Sequence, residues 1–417
     1  MKCVRPLFVS TYPPEECGLA TFTKDTADAV DAAAGLPISS VAAIRKIRDI
    51  PAADPRVALV IDNGRPDDYR RAAETVNDGP CDVVSLQHEF GLYPEAWGGR
   101  ILEFLDGCTK PIVTTFHTLL PQPEPLPRRL IRILAARSRT VVVMTEIAAR
   151  LLVDVYGVPR SSVRIIPHGV PSVPFARDGS RKAAMGLAGR PLVCTFGLIN
   201  PGKGLEVMIR GMRDVVAACP DAVYLIVGAT HPQVKARDGE AYRESLVELA
   251  GSLGIADSVR FVNRYLGLPE LLDHLQACDV FVTPYPGRDQ ISSGTMAYAM
   301  AMVGALVSTP HLYATEVLAD GRGMIVPFAD SEAMAAAAVR LLTDAPLRDE
   351  TRRRAYRYVQ PMFWPTVGRQ YLDLFAATAE QPRRGGPRTA DRARHAGQWK
   401  PGDGIGRRLQ ALREARS

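Results

Sequence analysis

The chain has 417 residues, of which 47% are hydrophobic and 23% are charged. This length predicts two or three globular domains, and the composition excludes a largely disordered protein. The net charge of +6 arises in one segment, because residues 381–417 carry ten basic and three acidic side chains whereas residues 1–380 carry 41 and 42. The body of the protein is therefore not a basic surface, and we expect no nucleic-acid partner.

Cysteine usage and apolar runs bear on the compartment. The seven cysteines are scattered and odd in number, which is typical of reduced thiols in the cytoplasm. No uninterrupted apolar run reaches the roughly 18 residues of a membrane-spanning helix. We therefore expect a cytoplasmic protein.

Short apolar strands alternate with helix-length segments along the body of the chain. The first group of predicted strands covers residues 7–9, 57–61, 83–86, 112–115, 141–144 and 163–166. A stretch rich in Pro and Gly follows over 167–189, and the alternation then restarts with strands over 192–196, 224–227, 259–262, 280–282, 306–308 and 324–326. Continuous apolar strands flanked by helices indicate parallel sheets covered on both faces. We predict an α/β protein with two such domains, residues 1–174 and 175–362, and a disordered basic tail over 381–417.

Glycine-containing loops follow three of the predicted strands and lead into helices. They are the loop with Gly18, the loop with Gly197 and Lys203, and the loop with Ser293, Gly294 and Thr295. Ligands of open parallel sheets bind beyond the carboxyl ends of the strands, where a helix N-terminus suits a phosphate. Glycine often serves only as a turn residue, but three such loops in one chain favour a diphosphate-binding cleft.

Several other sites are disfavoured by the motifs that the sequence lacks. It has no Gly-x-Gly-x-x-Gly after the first strand, no P-loop and no Asp-x-Asp pair, so we expect neither a dehydrogenase, nor a P-loop NTPase, nor a metal or other cofactor. His88, which precedes Glu89, and His117 each follow an apolar strand. Either histidine is equally well explained as a hydrogen-bonded residue at a sheet edge or as a residue of the cleft.

A series of short segments occurs in a specific order over residues 5–378. Its members are Ser10–Pro14 with Gly18, Phe116-His117, Ile165–Val170, Phe196–Gly204, Leu225–Gly228, Cys278–Pro284, Glu316 with Gly321 and Val326-Pro327, and Phe363-Trp364 with Val367 and Tyr371. Together they resemble the retaining glycosyltransferases of family 4, which have the two-domain fold called GT-B.

The resemblance implies two Rossmann-like domains that face a cleft, with the acceptor on the first domain and the donor on the second. It implies that a helix over 363–380 packs back on the first domain. It also implies metal-independent transfer of a hexosyl group, with retention, from a nucleoside diphosphate sugar to a saccharide, a lipid-linked acceptor or another hydroxyl. The residues implied are His117 and Gln290 as catalytic, Gly18, Gly197, Lys203, Ser293, Gly294, Thr295, Tyr298 and Glu316 on the donor or its phosphates, and His88 and Glu89 on the acceptor side.

Three positions depart from the family pattern. The family's pair of glutamates eight positions apart is replaced by Gln290 and Tyr298, and its phosphate-binding arginine by Leu198. Because Lys203 and the loop over 292–295 remain, we expect phosphate binding to persist while the nucleotide and sugar stay open. A retaining glycoside phosphorylase and a catalytically degenerate partner protein that binds sugar nucleotides are the alternatives.

The basic tail over 381–417 lies outside the resemblance. It is either a solvated extension or a weak contact with anionic headgroups at the inner membrane face.

Overall fold

The computed structural model of the protein describes residues 4–46, 54–176 and 179–381. It contains two parallel β-sheets, each with helices on both faces, which confirms the predicted fold class. Within these ranges, no helix is long and apolar enough to cross a membrane. Residues 382–417 of the predicted tail lie outside the described residues, so its proposed membrane contact stays a prediction.

The first domain is built on a seven-stranded sheet. Its strands are β1 (Pro6–Ser10), β2 (Ser40–Arg45), β3 (Val57–Asp62), β4 (Val83–His88), β5 (Ile112–Phe116), β6 (Thr140–Val143) and β7 (Val163–Ile165), and their spatial order is β3-β2-β1-β4-β5-β6-β7. The helices are α1 (Gly18–Ala34), α2 (Asp68–Asp78), α3 (Ile101–Gly107), α4 (Pro125–Arg137) and α5 (Glu146–Asp154). Every strand pair is parallel.

The second domain repeats this plan on six strands. They are β8 (Leu192–Phe196), β9 (Val223–Val227), β10 (Val259–Val262), β11 (Val280–Thr283), β12 (Ala305–Ser308) and β13 (Met324–Ile325), in the order β10-β9-β8-β11-β12-β13. The helices are α6 (Ser180–Ala184), α7 (Leu205–Ala218), α8 (Pro232–Asp238), α9 (Ala241–Ser252), α10 (Leu268–Ala277), α11 (Gly294–Ala301), α12 (Leu312–Val317), α13 (Ser331–Thr343) and α14 (Ala345–Val359).

A last helix, α15 (Trp364–Glu380), leaves the second domain and packs against α1 of the first. The two helices approach so closely that a Cβ added to Gly368 would lie 2.3 Å from the carbonyl oxygen of Ala29. The ring of Phe375 packs edge-on against that of Phe8 in β1, at 5.8 Å. The helix therefore completes the core of the first domain.

The order of the strands in each sheet determines where the cleft lies. In each sheet the order reverses beside the first strand of the domain, between β1 and β4 and between β8 and β11. Loops that leave such a switch point diverge and open a crevice at the carboxyl ends of the strands. Side chains from both domains meet at this edge, as described below.

Candidate active site

The loops after β8 and β11 bring a lysine and three hydroxyl groups together. The Nζ of Lys203 lies 3.0 Å from the hydroxyl of Tyr285 and 4.5 Å from the centre of its ring. That hydroxyl lies 3.0 Å from the Oγ1 of Thr295, which is 3.0 Å from the Oγ of Ser293. We call these four residues the phosphate cluster. Lys203 forms no salt bridge within the described ranges, so its charge is available to an anion.

Two glycines leave room beside the phosphate cluster. Gly197 has a φ of 129°, and a Cβ on it would lie 3.4 Å from the Cγ2 of Thr295 and 3.5 Å from the Nζ of Lys203. Gly204 has a φ of 59°, and a Cβ there would come within 2.3 Å of the carbonyl oxygen of Pro284. A side chain at either position would strain the backbone, and one at Gly197 would also occupy the space next to the cation.

Helix α11 begins within the phosphate cluster. Ser293 is its N-cap, and the Oγ of that residue accepts the N–H of Met296 at 3.2 Å. The N–H groups of Gly294 and Thr295 belong to the first helical turn, where no intrahelical acceptor exists. These amides and the positive end of the helix dipole add to the charge of Lys203. The arrangement is suited to a phosphate or diphosphate.

His117, just after β5, contacts the second domain. Its Nε2 lies 2.9 Å from the Oε1 of Gln87, and Gln87 donates its amide to the Oγ of Ser85 at 3.2 Å. This amide orientation puts the proton of the imidazole on Nε2 and leaves Nδ1 as an acceptor. Burial, with smaller contributions from neighbouring histidines, lowers the pKa of His117 to about 3, so the ring is neutral at pH 7. The carbonyl oxygen of His117 accepts a hydrogen bond from the Oγ of Ser292 at 2.8 Å.

His88 does not line the cleft, which corrects the expectation of an acceptor contact. The side chain is fully buried, with the rings of Phe90, Tyr93 and Phe116 at centroid distances of 5.3, 6.1 and 5.5 Å. Neither ring nitrogen has a hydrogen-bond partner in the part of the chain that the structure describes. Burial lowers the pKa of His88 to about 3. His88 is thus an uncharged member of the first domain's core.

Glu89 and Gln290 are held by their own loops. Glu89 accepts the hydroxyl of Thr118, in the loop that follows His117, and the N–H of Phe90 at 3.0 Å. Gln290 donates its side-chain amide to the carbonyl oxygen of Ser292 at 2.9 Å. Glu89 therefore lies near His117, and Gln290 shapes the loop that enters α11.

Gly18 lies at the start of α1. Its helix is capped by Cys17, whose Sγ accepts the N–H of Ala20 at 3.4 Å. A Cβ added to Gly18 would have no atom within 4 Å. The space next to this glycine is therefore open, and the structure does not bring Gly18 into contact with the phosphate cluster.

Glu316 binds the first domain. Its two carboxylate oxygens accept the N–H groups of Glu146 and Ile147 at 2.9 and 2.8 Å. These are the first two residues of α5, so Glu316 satisfies amides that the helix itself leaves unpaired. Both oxygens are thus engaged with α5 in this structure, and a contact of Glu316 with donor hydroxyls stays a prediction.

Tyr298 also reaches across the cleft. Its hydroxyl donates to the Oδ2 of Asp25 in α1 at 2.9 Å, and its ring lies 6.1 Å from that of His168. Of the residues expected on the donor, the structure therefore groups Gly197, Lys203, Ser293, Gly294 and Thr295 and engages Tyr298 and Glu316 with the first domain, while the role of Gly18 stays a prediction.

Sequence reasoning missed three residues of the site. Tyr285 and Gln87 lie at the ends of β11 and β4, and that position was the signal available for both. His168 gave no comparable signal, because it lies in the linker between domains. A Cβ on Gly294 would lie 2.7 Å from the Nε2 of His168, so this ring abuts the start of α11. Burial lowers the pKa of His168 to about 4, which keeps it neutral at pH 7.

The donor groups near the cleft suit an anion better than a metal ion. Among the described residues, no group of three or more His, Cys, Asp or Glu side chains is placed to hold a metal ion. The phosphate cluster itself offers one cation and hydroxyl groups, which suit an anion.

Two family models match the chain, one in each domain. Residues 27–172 match the model described as Glycosyltransferase Family 4, and residues 190–344 match the model described as Glycosyl transferases group 1. Together they cover most of the chain and both sides of the cleft. The chain belongs to the GT-B glycosyltransferases.

The relatives of this glycosyltransferase have names that describe sugar transfer. The chain is 27% identical over 313 residues to the phosphatidyl-myo-inositol mannosyltransferase of Mycolicibacterium smegmatis, and the matched region covers 74% of this chain and 75% of that protein. The chain is 29% identical over 332 residues to the D-inositol 3-phosphate glycosyltransferase of Nocardia farcinica, and the matched region covers 71% of this chain and 69% of that protein.

Solved structures show the same GT-B fold. HepE of Anabaena in complex with UDP has a TM-score of 0.70 at 15% identity, over 90% of this glycosyltransferase and 100% of HepE. The sucrose-phosphate synthase of Thermosynechococcus elongatus has a TM-score of 0.70 at 19% identity, over 89% and 100%.

Proposed function

We propose that this glycosyltransferase moves a hexosyl group from a nucleoside diphosphate sugar to a hydroxyl acceptor with retention of configuration. The observation that carries the proposal is the phosphate cluster, in which Lys203, two hydroxyl side chains and a tyrosine surround the N-terminus of α11. Its chemistry matches a diphosphate, and HepE, a protein of the same fold, was solved with UDP bound.

The cluster would act on the leaving group. As the bond between the sugar C1 and the diphosphate oxygen breaks, negative charge grows on the diphosphate. Lys203 and the amides of Gly294 and Thr295 are already oriented, so they stabilise this charge without rearrangement. The acceptor oxygen forms the new bond to C1 on the face that the diphosphate leaves, and its proton passes to the departing diphosphate oxygen.

His117 and Gln290 would serve the sugar. His117 has its Nε2 proton fixed by Gln87, and its neutral Nδ1 can accept a hydrogen bond from a hydroxyl. Gln290 offers its side chain from the loop of the phosphate cluster. We assign His117 and Gln290 to positioning the transferred sugar or the acceptor beside the diphosphate.

Exposed arginines lie on α4 of the first domain, the domain on which we expect the acceptor. A groove of about 600 Å³ runs along α4, lined by Pro123, Pro125, Arg128, Arg129, Arg132, Ile133 and Ala136. Arg128 and Arg132 are exposed, one helical turn apart. The names of the relatives include a phosphatidyl-inositol and an inositol phosphate, both anionic. We propose a saccharide or lipid-linked acceptor that carries a negative charge.

A panel of nucleotide sugars tests the donor. The purified protein is incubated with UDP-, GDP-, ADP- and TDP-hexoses, and release of nucleoside diphosphate is followed with and without candidate acceptors. We expect one nucleotide family to bind and to release its diphosphate. The proposal fails if no nucleotide sugar binds in calorimetry and none releases diphosphate.

One observation favours a retaining glycoside phosphorylase as the second candidate. The resemblance puts a ribose-binding glutamate at position 298, and here Tyr298 is engaged with Asp25. A ligand without ribose would lose nothing by this change. Cleavage of an oligosaccharide that requires inorganic phosphate and is unaffected by nucleotides would establish the phosphorylase.

A further inference from the structure

Asp25 and Tyr298 form a hydrogen bond between the domains. The hydroxyl of Tyr298, in the middle of α11, donates to the Oδ2 of Asp25 in the second turn of α1, at 2.9 Å. Tyr298 is 6% exposed and Asp25 is half-buried, so the bond is partly shielded from water. Burial also raises the pKa of Asp25, whereas the hydrogen bond from Tyr298 opposes that rise. Loss of this donor would be unfavourable, because the half-buried carboxylate would keep its partial desolvation penalty without the compensating hydrogen bond.

The surroundings of this bond lie where the two domains are joined. The ring of Tyr298 packs edge-on against His168 of the interdomain linker, at 6.1 Å. The ring of His168 contacts Phe22 of α1 at 5.1 Å and Trp364 of α15 at 6.3 Å. The linker, the crossing helix and α1 therefore meet around one tyrosine.

Other contacts across the cleft are of a different kind. Glu316 accepts backbone N–H groups of α5, and the Oγ of Ser292 donates to the backbone carbonyl of His117. Thr21 and Tyr265 join two partly exposed hydroxyl groups at 3.1 Å. Among these four contacts, only Asp25–Tyr298 joins a half-buried carboxylate to a buried side-chain donor, so it is a charge-assisted bond that a single side-chain substitution on either domain removes.

We propose that Asp25 and Tyr298 are positioning residues that act as a latch holding the cleft closed. In the proposed transfer, the closed cleft keeps water from the sugar C1 until the acceptor hydroxyl attacks. Tyr298 occupies the position at which the family resemblance expects a donor-binding glutamate, and in this proposal it serves domain closure instead. A glutamate there would face Asp25 and repel it.

The experiment removes the bond without removing the ring. Tyr298→Phe deletes only the donor hydroxyl, and Asp25→Ala deletes the acceptor. Asp25→Asn keeps an oxygen acceptor at the same place and serves if Asp25→Ala does not fold, which circular dichroism decides. Tyr242→Phe is the matched control, because Tyr242 also donates to a carboxylate, that of Glu206 at 2.6 Å, but within the second domain.

Two readouts are used. Small-angle scattering of the full chain, without ligand, reports domain opening. The ratio of donor hydrolysis to transfer reports access of water to the sugar. Loss of a hydrogen bond to a charged group shifts a two-state equilibrium by about tenfold or more. We therefore expect Tyr298→Phe to enlarge the radius of gyration and to raise the hydrolysis-to-transfer ratio about tenfold, and Tyr242→Phe to change neither.

The double variant Asp25→Ala/Tyr298→Phe decides whether the two residues act as one unit. We expect it to match the more affected single variant, because the bond can be lost only once. The latch is overturned if Tyr298→Phe scatters like the wild type and like Tyr242→Phe, or if the two single effects add. The kinetic readout rests on the proposed function, but scattering requires no donor. A wild type that turns over no nucleotide sugar would therefore sink the proposed function and leave the latch to be judged by scattering.

Discussion

The two faces of the cleft are formed by the same kind of parallel sheet, but one face is cationic and the other is neutral. The face of the second domain presents the cation of Lys203 and the N-terminus of α11. The face of the first domain presents the neutral imidazole of His117, whereas His88 lies in the core of the same domain. One face is therefore built to attract an anion and the other to accept hydrogen bonds from neutral hydroxyls. The shared topology fixes where the loops lie, and a handful of loop residues decides what each face binds.

Removal of the cation from the second domain's face is expected to have the largest effect on activity. Lys203→Ala takes away the charge that faces the leaving diphosphate, and we expect kcat/KM to fall at least about 100-fold. Initial rates with the best donor of the panel measure this. Lys110→Ala is the control, since its Nζ donates to the carbonyl of Gly79 at the opposite end of the first sheet, at 3.0 Å. Equal activity of the two variants would mean that the charge of Lys203 does not distinguish the second domain's face from the first in catalysis.

A smaller loss is expected from the hydroxyl that connects the phosphate cluster. Tyr285→Phe keeps the ring under Lys203 but breaks the contacts with Lys203 and Thr295. We expect the donor KM to rise about tenfold, as for one or two lost hydrogen bonds. Tyr224→Phe is the comparison, because Tyr224 contacts Thr195 in the core at 2.9 Å, and it should affect stability instead of KM. An unchanged donor KM in Tyr285→Phe would remove this tyrosine from the site.

Glu316 tests the boundary between the two faces. Glu316→Ala leaves two amides of α5 without acceptors, and we expect the free energy of unfolding to fall by about 1–2 kcal/mol, the range for a lost helix cap. Urea titration measures it, and Glu316→Gln, which keeps one oxygen acceptor, should lose less. The donor KM should stay near the wild-type value. A large rise in donor KM with unchanged stability would return Glu316 to the donor.

The smallest expected effect concerns the neutral side of the contrast. Because burial lowers the pKa of His88 to about 3, the unfolded chain takes up a proton near pH 6.5 that the folded chain does not. The free energy of unfolding therefore decreases as pH falls below 6.5. In His88→Leu we expect the decrease between pH 7.5 and 5.5 to be smaller by about 1 kcal/mol. Equal decreases in both proteins would mean that His88 is protonated in the folded state.

The sequence predicted the strands well where apolar residues run together. It missed β2, whose Ala42 and Ala43 give little β-forming signal, although both neighbours of this strand are in the sheet. It also singled out Lys203, Ser293 and Thr295, which the structure brings together because their loops share one sheet edge, but it missed Tyr285 of the same cluster. The sequence could not predict the hydrogen bonds of Tyr298 and Glu316, because each partner lies in the other domain, 273 and about 170 positions away.

Helix α15 has a consequence for how the protein is made. The first domain buries Tyr371 and Phe375 of this helix together with Phe8 of its first strand, although more than 360 positions separate them along the chain. A ribosome that has finished the first domain has therefore not yet made the helix that covers α1. The apolar surface that α15 will cover stays exposed until the whole second domain has been synthesised. Folding of the first domain and presentation of Asp25 on α1 are thus finished only after translation has passed residue 380.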